Sequence, residues 1–186
     1  MKIESDSQSI IPNSPNLIFL VGMPAAGKTY WGDKLAKAYL LEFIDLDLFV
    51  AEQEKASIPA LFAQYGENGF REREQKQLKK LISSINVPTV IASGGGTPCF
   101  NENLQLMKDA GTVIYLRADI PHLLENINSS EEIRPLLKGR GDIGLFLEDL
   151  LQKRKHYYEQ AHHILQTKNI SLITFDKIIS SCINRH

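Results

Sequence analysis

Cysteine is scarce: Cys99 and Cys182 are the only two in 186 residues, and they lie far apart in the chain. A disulfide framework is not expected, and a reducing cytoplasmic setting fits such usage. No apolar run approaches the ~20 residues that a membrane-spanning helix needs. No basic start leads into a long apolar stretch, so no signal peptide is expected. Charge of one sign is not in excess either. Lys and Arg number 21 against 22 Asp and Glu, a net of −1, which offers no general attraction to nucleic acid or anionic membrane. Internal repeats and low-complexity segments are missing. The length suits one domain with a core of its own. Residues 1–15, rich in Ser, Asn and Pro around Ile10-Ile11, read as a mobile tail, leaving 16–186 as the domain.

What is present centres on Gly22-Met23-Pro24-Ala25-Ala26-Gly27-Lys28-Thr29, the G-x-x-x-x-G-K-[ST] pattern of a phosphate-binding loop. The context matches. Leu17-Ile18-Phe19-Leu20-Val21 suits a buried strand, and a helix beginning near Lys28 follows, with Leu35, Ala36, Tyr39 and Leu40 on its apolar face. The glycines let successive backbone N–H groups turn inward toward phosphate oxygens. The helix N-terminus adds positive dipole character. Lys28 should reach the β- and γ-phosphates, and the Thr29 hydroxyl should sit on Mg2+. Gly22, Ala25, Ala26, Gly27, Lys28, Thr29 and Tyr30 are the expected ATP contacts.

Residues 42–47 read as a short strand ending in two carboxylates. If strand geometry persists, Asp45 and Asp47 point the same way, toward the crevice at the strand's C-terminal end. The alternative is that Asp47 caps the next helix. Ser57 and Pro59 open a helix that Gly66 can end. A long helix led by residues 69–74 follows, with Leu78, Leu81, Ile82 and Ile85 as its buried face. Arg71 and Glu74 can share a side; a surface ion pair is the competing reading for Arg71. Residues 88–93 form a buried strand ending in Gly94-Gly95-Gly96, which lets a ligand approach the backbone and offers it N–H groups. A flexible turn is the alternative. That strand does not end in Asp-Glu, and the chain lacks Asn-Lys-x-Asp, which weighs against motor ATPases and GTPases.

A helix over 101–108 should stop near Gly111, and a strand over 112–116 should follow. Asp119 then caps a helix with Pro121 in its first turn. The polar, glycine-flanked stretch near 129–141 suits a mobile lid. Arg134 on it could swing onto a transferring phosphoryl group; a solvated loop is the alternative. Residues 145–161 form a helix with Leu147, Leu150, Leu151 and Tyr158 on its apolar side. Its run Lys153-Arg154-Lys155-His156 is mostly a solvated face, from which one arginine could aim into the crevice. Residues 163–166 suit a last strand and 176–185 a closing helix. His162 and His163 are adjacent, unlike a helical metal pair. Buried strands alternating with amphipathic helices imply a three-layer α/β/α fold around a five-stranded parallel sheet with right-handed crossovers.

The motifs together resemble the shikimate kinase family, within the nucleoside-monophosphate-kinase-like group of P-loop kinases. In family order they are Gly22-x4-Gly27-Lys28-Thr29, Asp45-x-Asp47, Gly66-Glu67 with Phe70-Arg71-x-x-Glu74, Gly94-Gly95-Gly96, Arg134-Pro135-Leu136-Leu137, and Arg154 before Tyr157 or Tyr158. They cover residues 17 to about 161. The phosphate loop alone is generic; the combination is specific.

The resemblance implies a P-loop NTPase fold with a mobile lid and ATP-dependent phosphorylation of the 3-hydroxyl of shikimate. It also implies Mg2+ and a monomeric cytoplasmic enzyme, with ATP and shikimate as its partners. Lys28, Asp47 and Arg134 would be the catalytic residues. Arg71 and Arg154 would hold the carboxylate. Asp47 would accept from ring hydroxyls and orient or deprotonate the nucleophile. Gly94, Gly95 and Gly96 would contact substrate, chiefly through the Gly95 N–H. Asp45 would join Thr29 near Mg2+. Phe62 and Phe70 would wall the ring, Glu74 would orient Arg71, and Arg134 would stabilise the phosphoryl charge and help hold ATP.

Two stretches depart from the family. Residues 123–128 carry no basic residue where many members place an arginine on the adenine end of ATP. Lys155-His156 stand where a small residue and proline are common, so Lys153 and Lys155 compete with Arg154 for its role. The rival readings are another small-molecule kinase, such as a gluconate kinase, and a non-catalytic nucleotide-binding protein.

Overall fold

The computed structural model describes residues 16–129 and 142–183. The expected tail (1–15) and the expected lid from residue 130 onward, with Arg134, lie outside the described residues.

Five parallel strands form one sheet in the order β2-β3-β1-β4-β5. They are β1 (Leu17–Val21), β2 (Glu42–Asp45), β3 (Thr89–Ala92), β4 (Gly111–Arg117) and β5 (His163–Gln166). Every residue of β1 and β3 is buried. Continuous apolar runs of this kind suit a parallel sheet whose two faces are both covered by helices. Phe19 lies at the centre, in register with Ile91 on one side and Val113 on the other. The chain passes from β3 to β4 across β1, so connections diverge there. In such sheets the crevice at the C-terminal strand ends receives the ligand.

Among the described residues, seven helices connect and cover the strands: α1 (Lys28–Tyr39), α2 (Leu46–Glu54), α3 (Ile58–Ser84), α4 (Asn103–Ala110), α5 (Ile120–Asn128), α6 (Ile143–Tyr158) and α7 (Leu172–Ile183). The expected caps are in place. Ser57 Oγ accepts from Ala60 N at 3.3 Å, and Asp119 Oδ1 accepts from His122 N at 2.9 Å. Both cysteines are free. Among the described residues, no helix is long and apolar enough to cross a membrane.

Four local expectations change. Leu40 is off the apolar face of α1: it takes a left-handed conformation at the C-cap and is 94% exposed. β2 stops at Asp45, and Asp47 sits in the first turn of α2, so the two carboxylates are not alternate residues of one strand. The cap of α2 is Asp45, not Asp47. The last helix starts at Leu172, earlier than residue 176.

As expected, Gly66 ends the first helical segment of α3, and a second segment follows it. The glycine's φ of 66° and ψ of −177° interrupt the helix, which resumes and carries Phe70, Arg71 and Glu74 inward. That backbone region is almost closed to residues with a Cβ. A methyl group at Gly66 would meet nothing within 4 Å, so Gly66→Ala isolates the backbone effect. The substitution should cost about 1–3 kcal/mol in urea unfolding. An unchanged midpoint would show that the bend does not depend on glycine.

Candidate active site

The phosphate loop joins β1 to α1. Gly27, in the left-handed region, is the N-cap of α1 and contributes no capping side chain. The first-turn N–H groups therefore face an anion site rather than a side-chain cap. Lys28, only 8% exposed, folds its ammonium onto the Gly22 and Met23 carbonyls at 3.0 and 2.8 Å. Ala25 and Ala26 are buried in the loop. Asn126 of α5 donates to the Ala25 carbonyl at 2.8 Å, fastening the loop from the side. Tyr30 lies at the outer edge, more than half exposed, with the Lys34 ammonium 4.5 Å from its ring centre.

Asp45 links this loop to the rest of the cleft. The Thr29 hydroxyl donates to Asp45 Oδ2 at 2.8 Å. Asp45 Oδ1 accepts from the Asp47 and Leu48 N–H groups at 3.0 and 3.3 Å. One carboxylate thus caps α2 and fixes the spacing between the loop and Asp47.

Arg71 lies opposite, on α3. It is 7% exposed, so the surface-pair reading is excluded. Its Nη1 donates to Glu74 Oε2 at 2.8 Å, and Glu67 approaches Nη2 at 3.5 Å. The other oxygen of Glu74 accepts from Thr97 Oγ1 at 2.6 Å. Three rings surround the guanidinium, with centres 4.5 Å (Phe100), 5.0 Å (Phe70) and 5.6 Å (Phe62) from Cζ. Phe62 and Phe70 stack at 4.3 Å. Arg71 Nε is buried without a hydrogen-bond partner. A buried donor left open in this way favours an anionic ligand.

The triple glycine follows from close approach. A methyl group at Gly94 would lie 2.6 Å from Asp47 Oδ1 and 2.9 Å from Thr97 Oγ1. At Gly95 it would meet Pro24 Cδ of the phosphate loop at 2.9 Å, and at Gly96 it would collide with the Arg71 guanidinium. The three positions bring Asp47, the phosphate loop and Arg71 together around one strand end.

Arg154 belongs with them. Lys153 pairs with Asp149 at 2.6 Å and Lys155 approaches Glu159 at 3.7 Å; both are more than half exposed. Arg154 is partly buried. Burial pushes the Cys99 thiol up to about 11, while Arg154 and Arg71 both pull it back down. The two guanidinium groups therefore converge on the 3-10 turn (Thr97–Cys99) that follows the glycines.

Asp47 is raised from 3.8 to about 6, first by burial and then by the Glu74 and Asp45 carboxylates; Lys28 and Arg71 act in the opposite direction. It is ionised at neutral pH and able to take a proton there.

Phe100, Thr97 and Asn126 were not apparent in the sequence, because their roles depend on neighbours 23 to 101 residues away. A separate cavity of about 400 Å³ lies at the opposite end of the sheet, lined by Leu17, Gly111, Thr112, His162, His163 and Cys182 among others. It contains none of these site residues. His162 Nδ1 there accepts from Val113 N at 3.0 Å.

A phosphate loop after the central strand of a parallel 2-3-1-4-5 sheet, facing a cleft of carboxylate, arginine and glycine, defines a P-loop kinase for a small acceptor. The family model described as shikimate kinase matches residues 24–184. A shikimate kinase of Azobacteroides pseudotrichonymphae is 40% identical over 157 residues, covering 83% of this chain and 92% of that one. A shikimate kinase of Phocaeicola vulgatus is 37% identical over 155 residues, covering 82% and 87%. The structure of shikimate kinase from Acinetobacter baumannii in complex with shikimate superposes with a TM-score of 0.79 at 32% identity, covering 90% of this chain and 95% of that one. The chain belongs to the shikimate kinase family.

Carbon-13 NMR of the free protein should show Asp47 titrating near 6. Between about 4 and 6 the folded chain keeps a proton that the unfolded chain has released. This group's contribution to stability therefore falls as pH rises through that window. Glu74→Gln should move the midpoint down, because a buried like charge is removed. A midpoint near 4 in the parent protein would contradict the placement of the partly buried Asp47 beside the buried Glu74.

Proposed function

We propose that the chain transfers the γ-phosphoryl group of ATP to the 3-hydroxyl of shikimate, giving shikimate 3-phosphate and ADP on the route to aromatic amino acids. The observation that carries this reading is the buried Arg71 beside Asp47, directly across the glycine turn from the phosphate loop, with Arg154 acting on the 3-10 turn that follows the glycines. A family member is known in complex with shikimate.

The geometry of the described residues supports the following roles. The loop N–H groups and Lys28 hold the phosphates. Lys28 exchanges its two loop carbonyls for phosphate oxygens. Arg71 and Arg154 take the carboxylate through charge-assisted bonds. The rings of Phe62, Phe70 and Phe100 wall the apolar edge of the acceptor, which suits a ring better than the open chain of gluconate. Asp47 accepts from the ring hydroxyls and takes the nucleophile's proton as the O–P bond forms and the bond to ADP breaks. The Gly95 N–H meets the substrate. Arg134 supplies a further positive charge to the phosphoryl group.

The Thr29 hydroxyl and Asp45 carboxylate, 2.8 Å apart at the loop, are hard oxygen donors that fit Mg2+. Among the described residues there is no cluster of three His, Cys, Asp or Glu able to hold a metal alone. That suits Mg2+ bound largely through nucleotide phosphates. When bound, it neutralises charge on the β- and γ-phosphates. We place its action, as a monomeric enzyme, in the cytoplasm.

ADP release from Mg·ATP, followed with shikimate, gluconate, AMP or no acceptor, tests the reading. Release should depend on shikimate. Release with gluconate instead would discard the roles of Asp47, Arg71 and Arg154. ATP binding with no release on any acceptor would favour a non-catalytic nucleotide-binding protein.

A further inference from the structure

The three glycine carbonyls are satisfied unequally. Gly94 O accepts from Thr97 N at 3.2 Å and Gly96 O from Cys99 N at 2.9 Å, both within the turn that follows. The Gly95 carbonyl instead accepts from the Tyr158 hydroxyl at 2.6 Å. Tyr158 comes from the last turn of α6 and is fully buried. Its ring packs on Tyr115 of β4, with centres 5.0 Å apart, and its hydroxyl lies 3.9 Å from Met23 Sδ in the phosphate loop. Arg154 precedes it by one helical turn.

We propose that Tyr158 is a positioning residue for the acceptor: its hydroxyl locks the Gly95–Gly96 peptide against α6, so that the glycine loop and Arg154 meet the acceptor as one preset surface. This inference rests on the acceptor site described above. Three successive glycines have the widest backbone freedom of any tripeptide. An acceptor bound by such a loop would have to order it, at a cost in affinity. A hydrogen bond to the central carbonyl restrains rotation at Gly95 from a rigid helix. The same helix sets the reach of Arg154, so the backbone contact and the carboxylate contact share one anchor. Burial holds the phenol well above its ordinary range, with Arg154 pulling in the opposite direction. The hydroxyl therefore stays a donor across the working pH range.

Tyr158→Phe keeps the ring pair and removes the hydroxyl, and with it the bond to Gly95 and the contact with Arg154. It should raise the KM for shikimate about three- to tenfold, the equivalent of one net hydrogen bond, with kcat and the KM for ATP within about twofold. Tyr115→Phe serves as the control: it alters the same aromatic pair without touching Gly95, and should leave the shikimate KM unchanged. Tyr158→Met, whose flexible side chain refills the space, is a second donor-free variant judged by the same criterion. An unchanged shikimate KM would overturn the proposal. So would an equal loss in both KM values and kcat, or the same shift in Tyr115→Phe, since either would mark a merely structural role. If the parent protein turns over shikimate while Tyr158→Phe behaves identically, only this inference fails; if the parent does not, the acceptor reading itself fails.

Discussion

A guanidinium buried to within a few per cent of its surface is the constraint on which the rest of the cleft depends. Isolated, the Arg71 charge would cost several kcal/mol to bury. It is tolerated because Glu74 faces it at 2.8 Å and the other Glu74 oxygen is closed by Thr97. Each member needs the next. Thr97 stands where it does because the chain turns sharply after β3, and the turn fits only because Gly94 and Gly96 leave room for Asp47 and Arg71. The bend at Gly66 lets α3 resume on an axis that carries Phe70, Arg71 and Glu74 inward. A pair of this kind adds little net stability. Its consequence is a positive charge held in a fixed, dry place.

The two halves of the site meet at Asp45. By accepting from Thr29 with one oxygen and from the first turn of α2 with the other, it ties α1 to α2 and so places Asp47 relative to the phosphate loop. Burial raises the Asp47 pKa most; the Glu74 and Asp45 carboxylates push it further up, and the Lys28 and Arg71 cations pull it down. The outcome, near 6, is a carboxylate ionised at neutral pH yet basic enough to accept a proton, as the proposed phosphoryl transfer needs.

Much of this was legible in the sequence, for physical reasons that differ by element. The phosphate loop and the buried strands are local patterns, so Gly22 to Thr29 and β1 emerged with their boundaries nearly intact. Caps such as Ser57 and Asp119 are equally local. Asp45 and Asp47 were recognised as a pair, but their geometry was not, because capping by Asp45 ends the strand one residue before alternation can place them. Leu40 matched an apolar period yet lies past the end of α1, where the left-handed C-cap turns it out. Locally, Arg71 read more readily as a surface ion pair, since its burial is imposed by Phe100 and Thr97 from a distant part of the chain. The choice of Arg154 over Lys153 and Lys155 likewise rests on Asp149 and Glu159 holding the lysines on the outer face.

The most direct test of the account is shikimate binding to Arg71→Lys, measured by calorimetry beside nucleotide binding. Lysine keeps a charge for Glu74 but lacks the planar fork that grips a carboxylate. Shikimate affinity should fall about tenfold, the equivalent of roughly 1.5 kcal/mol for one charge-assisted bond, while nucleotide affinity stays the same. Unchanged shikimate affinity, or a loss on the nucleotide side instead, would contradict the placement of the acceptor carboxylate at this buried charge.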